Sequence, residues 1–375
     1  ALSVFAGCQP STTPDPSPEQ TDPVVEPPAT EDPEPAEEGL KIVIVTSTSG
    51  VDDGSFNQDN YNGILDFIAE NPTATVTAVR ETNIDNSVPT VANVMADYDV
   101  IVTPGFQFAD VYQLAVDNPE KSFILIDSYP TGDAVAENIY AMLFAEEESG
   151  FFAGIAAALQ TTTGKVAVVN GIAYPSNVNY QFGFESGVNY ANAKLGTSVE
   201  FVEIASYAGT DVTGANVGGN YIGSFSDEAT GKVVGEALLN EGVDILFVAA
   251  GMSGNGVFTA VKENGKAFVI GCDVDQYDDG VNGDANIILT SGLKNMRINV
   301  YRALNAIQDG TFVGQNVTLR ADTDSTGYVS ADGRHQLTAD TLTKLAEAYE
   351  LVKSGTVVPA ANFNGHASDN FPGLN

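Results

Sequence analysis

The stretch Asp52-Asp53-Gly54-Ser55-Phe56-Asn57-Gln58 puts an aromatic ring, carboxylates and an amide into one short turn. A ring face beside hydrogen-bonding groups suits non-covalent capture of a small polar or planar molecule. The turn follows an apolar run, Lys41 to Val45, and opens an amphipathic stretch, Tyr61 to Ile68. Open α/β sheets bind ligands beyond the carboxyl ends of their strands, where a helix start also offers unpaired N–H groups. A purely structural role fits this turn nearly as well, with Asp53 or Ser55 capping the helix and Phe56 packing on the sheet. Other strand ends carry similar groups. Asp127 closes the run Phe123 to Ile126, a glycine-bearing turn runs from Ala250 to Gly256, and Asp273 and Asp275 follow a later run.

Catalytic chemistry has little to work with. Only Cys8, Cys272, His335 and His366 offer a thiol or imidazole, and none has a neighbour at metal-ligand spacing. No metal, cofactor or histidine-based triad is expected, and the chain does not read as an enzyme. The acids Asp273 and Asp275 leave a nucleoside-acting hydrolase as one alternative. The glycines of 250–256 superficially match a dinucleotide fingerprint but sit in the middle of a lobe and lack the later acidic partner in the expected context, so they read as backbone that a ligand approaches closely.

The elements that must position these groups alternate short β-branched runs with longer amphipathic ones, which indicates βαβ units and parallel sheet. Strands are expected at 41–45, 75–80, 99–103 and 122–127, then at 165–170, 199–205, 244–249, 267–271 and 287–290. Helices are expected at 57–70, 88–97, 109–116 and 146–160, then at 180–192, 228–240, 255–263, 294–308 and 337–354. The fold class is α/β: two doubly wound parallel-sheet lobes joined by a hinge that the chain crosses more than once. The expected lobes are 40–162 plus about 290–320, and 163–289 plus about 321–375. Tyr221 and Phe182 read as packing residues, and the insertion Thr210 to Asn220 as a reshaped cleft rim. No run of about 18 apolar residues occurs in this body, so no helix in it is expected to span a membrane. Fifteen Lys and Arg stand against 50 Asp and Glu, a net charge of −35 that repels nucleic acid and anionic surfaces but tolerates neutral small ligands.

The amino terminus reads as an address. Leu2 to Gly7 are apolar and small, as at the end of a secretory signal, and Ala6-Gly7-Cys8 resembles the bacterial lipobox, in which the cysteine is lipidated. Residues 1–8 are therefore expected to be a signal remnant. Residues 9–39, rich in proline and acids, are expected to form an extended, disordered tether. Together they imply an extracytoplasmic protein held at the cell membrane by a lipid alone.

Five segments in order resemble the basic membrane protein family of bacterial lipoproteins, which includes a purine nucleoside receptor. They are Asp53 to Gln58, Glu147 to Gly154, Gly223 to Asp227, Ala250-Gly251 with Gly254 and Gly256, and Ile270 to Gln276 leading to Thr290-Ser291-Gly292-Leu293-Lys294. The resemblance implies a type I periplasmic binding protein fold serving an ABC importer, acting as a monomer with a permease partner and a nucleoside ligand. It further implies that Phe56 and Phe225 stack on the base while Asn57 and Asp127 meet its edge. Gly251 would offer backbone, Asp273 take ribose hydroxyls and Lys294 reach the ligand. Ser47 stands where the family usually has an acid that helps read the base, Met252 where it has glycine, and Thr230 where lysine is common. Ser47 gives weight to a different solute, such as a sugar. A sensory lipoprotein of the same fold is a further alternative.

Overall fold

The computed structural model describes residues 38–132 and 134–375; Cys8 and residues 9–37 of the expected tether lie outside them. The first lobe begins with β1 (Lys41–Thr46), whose residues after Lys41 are all buried because helices cover both faces of the sheet. Then follow α1 (Phe56–Glu70), β2 (Thr75–Arg80), α2 (Ser87–Val94), β3 (Val100–Pro104), α3 (Tyr112–Asp117), β4 (Ser122–Ile126) and β5 (Ile139–Phe144).

The chain then enters α4 (Glu146–Gln160), β6 (Lys165–Asn170), α5 (Pro175–Lys194) and β7 (Glu200–Phe201). A small hairpin of β8 (Gly209–Thr210) and β9 (Asn216–Gly218) leads to α6 (Glu228–Asn240), β10 (Ile245–Ala249), α7 (Ser253–Asn264) and β11 (Phe268–Asp273). A second hairpin, β12 (Val281–Asn282) with β13 (Ala285–Asn286), precedes β14 (Ile288–Lys294). The chain ends through α8 (Met296–Gln308), β15 (Gln315–Leu319), β16 (Thr326–Tyr328) and α9 (Ala339–Lys353).

Two sheets of six strands result, ordered β15-β5-β4-β3-β1-β2 and β16-β14-β11-β10-β6-β7. Pairing is parallel throughout the first and parallel in the second except for β16, which runs antiparallel to β14. Each sheet has a hydrophobic cluster on either face, as a doubly wound arrangement requires. The α/β, two-lobe expectation is thus met.

The boundaries between lobes differ from expectation. Helix α4 was expected with the first lobe, yet Phe151, Phe152 and Ile155 sit in the core of the second. Glycines explain the tightness of its packing on α5: a Cβ at Gly154 would lie 2.1 Å from the Phe184 carbonyl oxygen. Likewise the first lobe was expected to resume at about 290, but β14 stays in the second sheet through Lys294, with Ile288 and Leu289 buried in its two cores. The return comes at Asn295, and α8 packs with α1 in the first-lobe core. The chain therefore crosses three times: at Ala145, at Asn295, and between β15 and β16. Ala145 (φ −81, ψ 68) and Asn295 (φ −82, ψ 70) share one backbone conformation, so the first two crossings are near copies. Strands β5, β15 and β16 were not anticipated, and the strand expected over 199–205 pairs only at Glu200–Phe201. Among the described residues no helix is long and apolar enough to cross a membrane.

Candidate functional site

Strand ends from both sheets face a shared cleft of about 790 Å³, part of it open to solvent. Ser47, Phe56, Asn57, Asp127, Phe225, Gly251, Asp273 and Lys294 all line it. The fold thus brings together all the ligand residues read from the sequence; Cys8 lies outside the described residues.

The turn after β1 is built around Asp53. Its Oδ1 accepts the amides of Ser55 and Gln58, both at 3.0 Å, and its Oδ2 accepts that of Asn57 at 2.8 Å. Gln58 reciprocates, accepting the Gly54 amide at 2.9 Å. Burial pushes the Asp53 carboxyl up, while the three backbone donors oppose that shift. This cap fixes the neighbouring side chains. Phe56 is half-buried at the margin of the first-lobe core, and the Lys294 ammonium lies 5.1 Å from its ring centre. Asn57 donates to the Ser47 hydroxyl at 3.1 Å, while its own buried amide oxygen has no partner.

Asp127 and Asp273 occupy the ends of β4 and β11 and share a left-handed backbone, φ 69 at each. Lys294, at the end of β14, donates to Asp127 and to Glu146 at 2.9 Å in a setting where all three side chains are buried. Burial pushes both carboxyls up and works against the ammonium, but Asp127, Glu146 and Asp273 together outweigh that and keep Lys294 protonated. Lys294 therefore serves two protein carboxylates as well as facing the cleft. The Asp273 carboxylate accepts the Tyr180 hydroxyl at 2.7 Å on Oδ1 and the Ser55 hydroxyl at 3.0 Å on Oδ2.

Phe225 rests on glycines. A Cβ at Gly171 would lie 2.4 Å from its ring, and one at Gly251 (φ 54) would lie 3.2 Å from its carbonyl oxygen. That carbonyl accepts the Ser49 hydroxyl from the opposite lobe at 3.2 Å. Across the mouth, Phe106 of the first lobe meets Tyr174 of the second at 5.4 Å between ring centres, and Tyr174 meets Phe225 at 5.9 Å. The lobes therefore touch across the cleft, which is the closed arrangement.

Phe106, Tyr174 and Tyr180 were not singled out from sequence. A usable signal existed for Tyr174: Pro175 marks the first position of α5, five residues before the expected helix start, and so places Tyr174 in a strand-to-helix turn. Two expectations are corrected. The 210–220 insertion does not line the cleft, because Asn220 is drawn into the sheet edge by bonds to Val168, Val202 and Ile204. Asp275 does not pair with Asp273; Arg334 holds it at 2.6 Å. Tyr221 is buried in a small cluster with Phe182 packed against it, the packing role expected of both.

A model of the Bmp family, described as ABC transporter substrate-binding protein PnrA-like, matches residues 40–210 and 205–349. The chain is 28% identical over 295 residues to the ABC transporter nucleoside-binding protein BmpA of Lactococcus lactis subsp. cremoris, covering 74% of this chain and 78% of that protein. It is 27% identical over 340 residues to the CD4+ T-cell-stimulating antigen of Listeria monocytogenes, covering 84% and 87%. An ABC transporter solute-binding protein from Aeropyrum pernix K1 shares the fold, with a TM-score of 0.73, 24% identity, and coverage of 87% of this chain and 94% of that one.

Proposed function

Because the chain belongs to the Bmp family of PnrA-like ABC transporter substrate-binding proteins, we propose that the solute it captures is a nucleoside, held between Phe56 and Phe225. As a substrate-binding protein it catalyses no reaction and works outside the cytoplasm, delivering a small solute to a permease. The observation that carries the nucleoside reading is the pair Phe56–Asn57: a ring and, from the next residue, a buried amide oxygen that no protein donor fills. A planar heterocycle with an N–H on its edge satisfies both at once. Asp273 then accepts sugar hydroxyls and Asp127 lies toward the base. With Asp53, Asp127 and Asp273 against Lys294 alone, the ionisable groups lining the cleft disfavour an anion such as a nucleotide.

Capture works by closure. Ligand contacts from both lobes favour the shut state, the three crossings act as hinge, and the shut form is the one presented to the permease. Both walls come from one chain, so a monomer suffices. Anchoring is by a lipid on Cys8, supported by the Ala6-Gly7-Cys8 motif; metabolic labelling with a fatty acid, lost in Cys8→Ala, checks it. Ser47 in place of an acid weakens the case for purines over other bases and favours a second reading, a sugar ligand. Calorimetry with adenosine, guanosine, cytidine and ribose separates the two. Nucleoside binding with little ribose binding is expected, and tight ribose binding without any nucleoside binding overturns the proposal.

A further inference from the structure

Serine at a helix N-cap ordinarily accepts an amide of the first turn. Ser55 holds that place at α1 and makes no capping bond. Asp53 caps the helix instead, with three backbone amides on its two oxygens. The Ser55 hydroxyl, released from that task, crosses to the second lobe and donates to Asp273 Oδ2 at 3.0 Å. Neither end is casual, since Ser55 is 6% and Asp273 8% exposed.

We infer that Ser55 is a positioning residue that couples lobe closure to recognition of ligand hydroxyls at Asp273. The inference rests on the reading of the ligand as a nucleoside. Asp273 has two kinds of partner. Tyr180 and the Cys272 thiol, 3.4 Å from Oδ1, belong to the same lobe and stay with the carboxylate whether the cleft is open or shut. Ser55 belongs to the other lobe and can reach only when the cleft shuts. The donors from its own lobe hold the Asp273 carboxylate at its strand end, so it does not follow the first lobe as that lobe moves away. A carboxylate has about four lone-pair sites. Tyr180, Cys272 and Ser55 therefore orient it and still leave capacity for the ligand. Opening removes the Ser55 donor, and the vacated Oδ2 is then left to water. Binding and release of the sugar are in this way tied to the position of α1.

The test uses the full chain with Ser55→Ala and Ser55→Thr. Calorimetry with adenosine and 2′,3′-dideoxyadenosine gives the ratio of the two affinities, and small-angle X-ray scattering gives the closed population without ligand. Removing a hydrogen bond to a charged acceptor should weaken adenosine binding about tenfold in Ser55→Ala. The adenosine-to-dideoxyadenosine ratio should shrink, because the carboxylate is less well held for hydroxyls, and the ligand-free closed population should fall. Ser55→Thr, which keeps the hydroxyl, should restore both, and the melting temperature of the ligand-free protein should move little. An unchanged ratio in Ser55→Ala overturns the inference. Should the wild type bind neither compound, the nucleoside reading fails on its own, and scattering decides: an unchanged closed population then overturns the role of Ser55.

Discussion

The two lobes share one strand order but hold their halves of the cleft by different means. Asp127 ends β4 and Asp273 ends β11, at matching places in the two sheets, with the same φ of 69. Each is gripped by a side chain from the opposite lobe, Asp127 by Lys294 and Asp273 by Ser55. The grips are unlike. Lys294 makes a buried ion pair, which is costly to break because an unpaired charge stays behind. Ser55 makes a single hydroxyl bond, which closure can form and opening release. The loops differ in the same sense. The turn after β1 is long and polar, from Ser47 to Ser55, whereas the turn after β6 is short, from Gly171 to Tyr174. A repeated sheet can thus supply one half that anchors and one half that responds, and the asymmetry sits in turns and side chains.

The largest effect that could break this comparison is expected at Lys294. Lys294→Met leaves Asp127 and Glu146 buried without a cation and should cost about 3–5 kcal/mol of stability. Asp273→Asn, at the matching site, should mainly cost affinity. Urea midpoints for both variants check this, and equal stability losses would erase the distinction between anchor and responder.

The next effect is in pH. Burial, with Glu146 and Glu148 nearby, pushes Glu147 up to about 8, and burial likewise pushes Glu185 up to about 8, both in the second lobe. In the first lobe burial pushes Asp59 up to about 7. The native state thus holds protons that the unfolded chain has lost above its ordinary carboxyl range. Their stabilisation is full below the unfolded value, about 4.5 for Glu, and is lost as pH rises through about 8. Melting temperature without ligand should fall from pH 5.5 to pH 9, and Glu147→Gln should flatten that fall. A profile that rises over this range would contradict the assignment.

Stacking comes third. Phe56→Ala and Phe225→Ala should each weaken nucleoside binding by about 1–3 kcal/mol. Phe56 packs against the first-lobe core, so its variant should also lower the ligand-free melting temperature. Phe225 lies outside the core clusters of the described residues and should leave it nearly unchanged. Paired calorimetry and melting curves separate the two. The smallest effect is at the cap: Asp53→Ala should cost about 1 kcal/mol of stability through α1. α5 has Pro175 at its start and no side-chain cap, so Tyr174→Ala should show no capping loss.

Much of this fold was legible because its signals are local. β1, β2, β6 and β10 are runs of β-branched or apolar residues between polar turns, and α4 and α6 lie where periodicity placed them. β5 was missed because Ile139–Phe144 runs straight on through Ala145 into α4, with no turn signal between them. β15 and β16 were missed because they are edge strands, half-polar and short, made strands by their neighbours. The cleft residues were legible as strand-end turns. The aromatic pair Phe106 and Tyr174 was not, since neither turn marks which ring will face the other lobe.

By itself the sequence determined the alternation of strands and helices, the two-lobe class, the acidic surface and the turns that carry ligand groups. Those follow from periodicity and turn chemistry within a few residues. Only the tertiary structure decided partners and sides: that α4 belongs to the second lobe, that β14 stays there, and that Asp275 is tied to Arg334. It also decided that Asp53 rather than Ser55 caps α1. Ser55 and Asp273 are 218 positions apart, and Lys294 and Asp127 are 167 apart. No local pattern encodes such pairings; they exist only where the fold brings residues of the two lobes within hydrogen-bond reach.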